Sequence, residues 1–256
     1  MIRWWPSVVL ASGLALAPQL AIGQMAAENA VVARPTPSTP ADPAGRAALR
    51  AANAASGLRI LVSVDQRWLW VLNGRDTLMS VPAAVGIGRD FEFNGKKFHF
   101  ATPRGVRRVL GKQPTPIWTV PEWHYLEKAH RKELEVVHLK PEQKYLLEDG
   151  TFIDVRGDQV GRLNLYGNWF PFSQDFEIIF DGKIFVPPLN TIQRRVTNAL
   201  GPYKLDTGNG YLIHGTHEYN EESIGEAVSH GCVRLNNDDL RKLYAQVPVG
   251  TRVYIF

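Results

Sequence analysis

A mostly β fold with few short helices and an inserted α+β subdomain is what this chain of 256 residues predicts. Three observations predict it. Residues 58–85 and 198–256 are rich in β-branched and aromatic residues that alternate with period two. Asn73-Gly74 and Asp181-Gly182 are the dipeptides that tight hairpins prefer, because both turn residues can take positive φ. Between the two β-rich ends, residues 122–190 change texture, and apolar residues there first recur at three- and four-residue steps.

Residues 1–23 carry one positive charge at Arg3, an apolar run over 7–17, and small residues at Ala21 and Gly23. This is the pattern of a secretory signal peptide, cut near Gly23-Gln24. The apolar run falls short of the ~20 residues that a spanning helix needs, so no stable membrane span is expected after cleavage. Residues 24–57 are rich in Ala and Pro and are expected to form an extended linker, with at most a loose helical turn in the Ala-rich run 47–55.

The catalytic domain is expected over 58–256. Strands are read at 58–64, at 67–72 with Trp68, Trp70 and Leu72 alternating against Leu69 and Val71, and at 77–85, ending at Gly86 and Gly88. A further strand runs to Leu110. Trp123, Leu126, His130, Leu134 and Val137 predict an amphipathic helix that stops before Pro141, its charged face solvated. Strands at 151–155 and 162–166 follow, then a hairpin of 176–180 with 183–186, stopped by Pro187-Pro188. Residues 125–195 are read as an inserted subdomain or lid. The sheet resumes with strands at 210–214 and 233–235. Asn236 or Asn237 caps a helix whose first turn holds Asp238 and Asp239 and whose apolar face is Leu240, Leu243, Tyr244 and Val247. A last strand spans 252–256.

Composition is that of a globular protein, 45% hydrophobic and 21% charged, with a formal charge of +4. That excess is too small and too scattered for nucleic-acid binding, and fits an anionic envelope surface. One cysteine, Cys232, is present, so no internal disulfide can form. An isolated cysteine is most simply a small buried apolar residue. Here it stands in Ser229-His230-Gly231-Cys232, with His214 eighteen positions earlier (232 − 214) at the end of an apolar strand. A thiol with an ordinary pKa near 8.5 needs a base to become an acylating nucleophile, and it needs donors for the oxyanion that forms. His214 can be that base, with the Gly215 carbonyl orienting its ring. The N–H groups of Gly231 and Cys232 are candidate oxyanion donors. Arg234 lies on the same side as Cys232 in an extended segment and can grip a substrate carboxylate. His214, His217, His230 and Cys232 are also zinc-ligand types, but their spacing matches no common zinc pattern, so no metal is expected.

His214-Gly215-Thr216, Ser223-Ile224-Gly225 and Ser229-His230-Gly231-Cys232-Val233-Arg234 closely resemble the signature of the L,D-transpeptidases with a YkuD-type catalytic domain. Thr102-Pro103-Arg104-Gly105, Pro116-Ile117-Trp118, Asn198-Ala199-Leu200-Gly201 and Asp239 with its helix extend the match over 58–123 and 196–256. The resemblance implies a YkuD-like β-sandwich whose cysteine attacks a peptidoglycan stem tetrapeptide beside its terminal D-alanine. The thioester formed would pass to an amine of a second stem, giving a 3→3 cross-link. By the same resemblance Cys232 is the nucleophile, His214 the base, Gly215 the carbonyl that orients it, and His230 a support of the pocket. Ser229, Thr216 and Arg234 then bind substrate. No cofactor is implied. The partners are donor and acceptor stem peptides. The setting is the periplasm or cell envelope, the role cell-wall organisation and cell shape, and the expected state a monomer. The long segment 125–195 departs from the family pattern. It leaves open a hydrolase of a stem peptide or of a protein–peptidoglycan link, and a non-catalytic envelope-binding module.

Overall fold

A computed structural model describes residues 34–174 and 176–256. The expected signal peptide and residues 24–33 of the expected linker lie outside them. The central sheet has five strands in the order Asp76–Pro82, Trp68–Asn73, Arg59–Ser63, Arg252–Ile255 and Gly105–Arg108. The first strand of the domain and its last pair in parallel, Ile60 beside Val253 and Val62 beside Ile255. A second sheet runs Val233–Arg234, Leu212–His214, Tyr203–Asp206 and Gly111–Pro114.

Period-two alternation assigns the faces. Ile60, Val62, Leu69, Val71, Val253 and Ile255 pack on Leu205, Ile213 and Val233 of the second sheet, so the two sheets form a sandwich. Leu240, Leu243 and Val247 of α3 (Asn237–Gln246) join the same core. The N-cap of α3 is Asn236, whose side chain accepts from the Asp238 N–H.

The opposite face corrects the expected linker. Leu61, Trp70, Tyr254 and Phe256 are covered by Ala48, Leu49 and Ala52 of α1 (Pro43–Ala54), a three-turn helix inside the segment read as extended. Asp42 caps α1 by accepting from the Gly45 N–H at 2.7 Å, and Pro43 opens it with a pre-set φ. Small alanines let the helix lie close on Trp70, which stacks on Phe256 at 6.3 Å and 15°. Composition favoured a linker, but burying Leu49 and shielding two large aromatics outweighs the cost of ordering the segment.

The intervening segment differs from expectation in one place. α2 spans Glu122–Lys132 and ends at Glu133, which takes φ 55° and starts a strand at Glu135 in place of further helix. The three-and-four spacing of Leu134 and Val137 suited a helix. In the strand Glu135–His138, Val136 packs on Tyr125 and Ala129 of α2, while Val137 packs into the subdomain core. Serving two cores is what two adjacent strand positions do. That strand pairs with Lys183–Val186, itself in the expected hairpin with Ile179–Phe180. A four-stranded sheet, Lys144–Leu146, Phe152–Arg156, Gln159–Leu163 and Trp169–Pro171, completes the subdomain around Leu139, Leu147, Ile153, Val155, Val160, Ile178 and Phe185. The strand expected at 162–166 lies earlier, because Arg156 pairs with Gln159 across a two-residue turn at Gly157 and Asn164 starts a loop by accepting from the Tyr166 and Asn168 N–H groups. After the strand that ends at Gly86, residues 89–100 form a hairpin of Arg89–Phe93 with Lys96–Phe100, turning at Asn94-Gly95 with both φ positive.

Candidate active site

Leu212–His214 and Val233–Arg234 run parallel, with Ile213 beside Val233 and His214 beside Arg234. Ile213 and Val233 enter the core. Their neighbours His214, Cys232 and Arg234 therefore share the other side of the sheet. Cys232 is half-buried, its Sγ 3.9 Å from the Gly210 carbonyl oxygen.

His214 is 5% exposed, and its Nδ1 donates to the Gly215 carbonyl at 2.6 Å. This leaves Nε2 as the acceptor nitrogen. Burial, reinforced by the Arg234 charge and opposed by the Gly215 carbonyl, lowers the pKa of His214 to about 3. Burial also pushes the Cys232 thiol up, while the Leu212 N–H and Arg234 pull it back. At neutral pH the pair is a neutral imidazole and a thiol, the state from which a base accepts a proton as sulfur attacks.

The backbone around His214 is clamped. Gly215 donates to the Leu200 carbonyl at 2.9 Å, and Asn237 takes the Thr216 N–H on Oδ1 at 3.1 Å while its Nδ2 donates to the Thr216 carbonyl at 2.9 Å. Gly215 has to be glycine, since a Cβ there would press on Asn237 Oδ1 and stand 3.1 Å from Leu240. Around Cys232, Ser229 Oγ accepts from the Gly231 N–H at 3.1 Å and donates to the Cys232 carbonyl at 2.6 Å. Thr102 Oγ1 accepts from the Gly86 N–H and donates to the Gly231 carbonyl at 2.9 Å.

These contacts bear on three expectations. Ser229 and Thr216, expected to bind substrate, are 1% and 2% exposed; the Ser229 hydroxyl holds the loop backbone, and the Thr216 backbone is held by Asn237. The Gly231 N–H is taken by Ser229, so of the two expected oxyanion donors Cys232 N–H is the one left without an acceptor among the described residues. Arg234 is half-buried, and burial lowers its pKa.

His230 is held differently. Its ring stacks on Trp123 at 3.8 Å and 16°, and meets Phe100 edge-on at 4.4 Å. Its Nε2 lies 2.9 Å from Glu127 Oε2, and Glu127 Oε1 accepts from Arg89 at 2.9 Å. Trp123 and Glu127 stand four apart on α2, so they project from one face. Sequence reasoning read that charged face as solvated and missed Glu127, Thr102 and the clamping role of Asn237. The i, i+4 pairing of Trp123 with Glu127 was the one available signal.

With this geometry in place, the comparison with known families is decisive. The family model of the L,D-transpeptidase catalytic domain, YkuD, matches residues 57–255. The chain belongs to that family. Among related proteins, the Probable L,D-transpeptidase ErfK/SrfK of Salmonella typhimurium is 39% identical over 89 residues, 29% of this chain and 28% of that one. The Probable L,D-transpeptidase YbiS of Escherichia coli is 54% identical over 56 residues, 22% of this chain and 18% of that one. The chain thus spans less than a third of the length of these relatives. Among solved structures, the L,D-transpeptidase of Xylanimonas cellulosilytica superposes with a TM-score of 0.41 at 17% identity over 84% of this chain and 70% of that one. The catalytic domain from E. faecium gives 0.40 at 14% over 79% and 99%. Within the region matched to the L,D-transpeptidase family, α2 docks directly on His230.

Proposed function

We propose that this protein is a peptidoglycan L,D-transpeptidase acting by cysteine acyl transfer, exported by way of residues 1–23 and working as a monomer in the periplasm or cell envelope. The observation that carries the reading is the pairing of two short strands. One holds a neutral His214 whose Nδ1 is pinned to Gly215; the other follows Cys232 and presents a guanidinium without a carboxylate partner among the described residues.

Nε2 of His214 takes the thiol proton as Sγ of Cys232 attacks the carbonyl of the third residue of the donor stem. The Cys232 N–H steadies the oxyanion. Collapse returns the proton from His214 to the amine of the leaving D-alanine, and a thioester remains on Cys232. Arg234 holds the donor by its terminal carboxylate. An amine of a second stem then attacks the thioester, His214 removes its proton, and the 3→3 link forms. No metal or organic cofactor enters.

Incubating the mature protein with a disaccharide tetrapeptide should release D-alanine, followed by mass spectrometry, and should yield a cross-linked dimer. Cys232→Ala should lose both products, along with the covalent adduct formed by a carbapenem. Release of D-alanine without dimer would shift the reading to hydrolysis, and no release with no adduct would overturn it.

A further inference from the structure

We infer that Glu127 is a positioning residue for the Cys232 loop, fixing His230 in the tautomer that carries its proton on Nε2. This rests on the acyl-transfer reading above, which it deepens by giving α2 a part in the site.

A carboxylate beside a ring nitrogen can only accept, so the 2.9 Å contact requires the proton on Nε2 and leaves Nδ1 as an acceptor. Three further contacts make the arrangement specific. Trp123 lies flat on the imidazole and Phe100 closes its edge, which sets the ring plane. Arg89, at the start of the 89–100 hairpin, holds the second carboxylate oxygen and so fixes the rotamer of Glu127. The pair is mostly shielded, with side chains 28% and 26% exposed, so the bond is stronger than an exposed ion pair. His230 is followed by Gly231, whose φ of 127° lets the chain turn under Tyr211 toward Cys232. A ring gripped on three sides is therefore the anchor from which that turn is built.

The charged groups around His230 are Glu127 and His124 from α2, Arg89 from the hairpin, and Arg234 from its own segment. Burial lowers the pKa of His230, Glu127 raises it, and Arg234 and Arg89 lower it further. Burial works to raise the Glu127 carboxyl, but His230 and Arg89 outweigh it and hold it below the usual range. Glu127 is thus the one group favouring a proton on His230.

The test uses Glu127→Gln in the full mature chain, with Glu122→Gln as control. Glu122 sits on the same helix but serves Lys96 and His138. An amide can donate as readily as accept, so the lock on the tautomer is lost while the shape is kept. The expected result is a fall of about tenfold in D-alanine release, the ratio expected when a charge-assisted bond becomes a neutral one. Histidine-selective ¹⁵N spectra should show a single Nε2–H tautomer for His230 in the wild type. In Glu127→Gln they should show a mixture, with a lower titration midpoint and a matching shift in the pH profile of release. Glu122→Gln should change none of these. A wild-type rate and an unchanged profile in Glu127→Gln would overturn the inference. So would an Nδ1–H tautomer in the wild type, a measurement that stands even if the variant does not fold. A wild-type protein that releases no D-alanine would sink the acyl-transfer reading, whereas tautomer and titration judge Glu127 on their own.

Discussion

His214 and His230 sit sixteen residues apart (230 − 214) at the same site, yet the molecule holds them by opposite means. His214 is gripped mainly by backbone: the Gly215 carbonyl fixes its ring and the Leu200 carbonyl takes the Gly215 N–H, with the Asn237 side chain bracing the next residue. His230 is gripped by side chains from a distant helix, Glu127 lying 103 residues earlier in the chain. A backbone clamp survives most substitutions because every residue supplies an N–H and a C=O. A side-chain brace can be removed by one substitution. The first region therefore acts as the engine and the second as a support that single substitutions can adjust.

Replacing His214 should give the largest effect. His214→Gln is expected to cut D-alanine release by about 10³-fold, within the range that general-base catalysis supplies. It should also change the acid limb of stability. A histidine lowered to about 3 in the fold but ordinary when unfolded binds its proton first in the unfolded chain. Its contribution is fully present above the unfolded value of ~6.5 and is lost as pH falls from there toward 3. Between pH 7 and pH 4 the wild type should lose about 3 kcal/mol more than His214→Gln in urea unfolding, at 1.36 kcal/mol for each of roughly 2.5 units. Equal losses would mean that His214 is not buried in its neutral form.

The supporting region should yield without taking the engine with it. Phe185→Ala empties the subdomain core at a fully buried position and should cost about 3–5 kcal/mol. Hydrogen exchange should then show lost protection over residues 135–186, with the strands Arg59–Ser63 and Arg252–Ile255 keeping theirs. Joint loss in both would show that the two regions are one cooperative unit.

Two smaller effects sharpen the contrast on the backbone side. Asn237→Ala strips both bonds from Thr216 and should cost about 1–3 kcal/mol, visible as a lower Tm and slower acylation by a carbapenem. Asp42→Ala removes the cap of α1 and its contact with Arg104, and should cost about 1 kcal/mol with acylation unchanged.

The engine was legible in the sequence because its information is local. Ile213, His214 and Gly215 form one short run, Ser229 to Arg234 another, and period-two alternation around Trp68 to Leu72 shows which residues enter the core. The support was not legible, because Glu127 acquires meaning only when α2 folds back onto His230. Until then it is one charge among several on a helix. α1 was hidden by composition: alanine and proline signal a linker, and the informative stripe of Ala48, Leu49 and Ala52 is too small to stand out beside them. The end of α2 was hidden because Leu134 and Val137 suit both periods, and only the left-handed turn at Glu133 decides between them.

The parallel pair at the centre of the sandwich has a bearing on how the protein comes into being. Among the described residues Arg59–Ser63 is the first strand in the chain and Arg252–Ile255 the last, yet each is the other's neighbour. The centre of the sheet can close only when nearly 200 residues have been delivered between them (252 − 59 = 193). Until then the apolar edge of Arg59–Ser63 stands without its parallel partner. A chain interrupted before Arg252 therefore lacks an inner strand of the sheet, and not its edge.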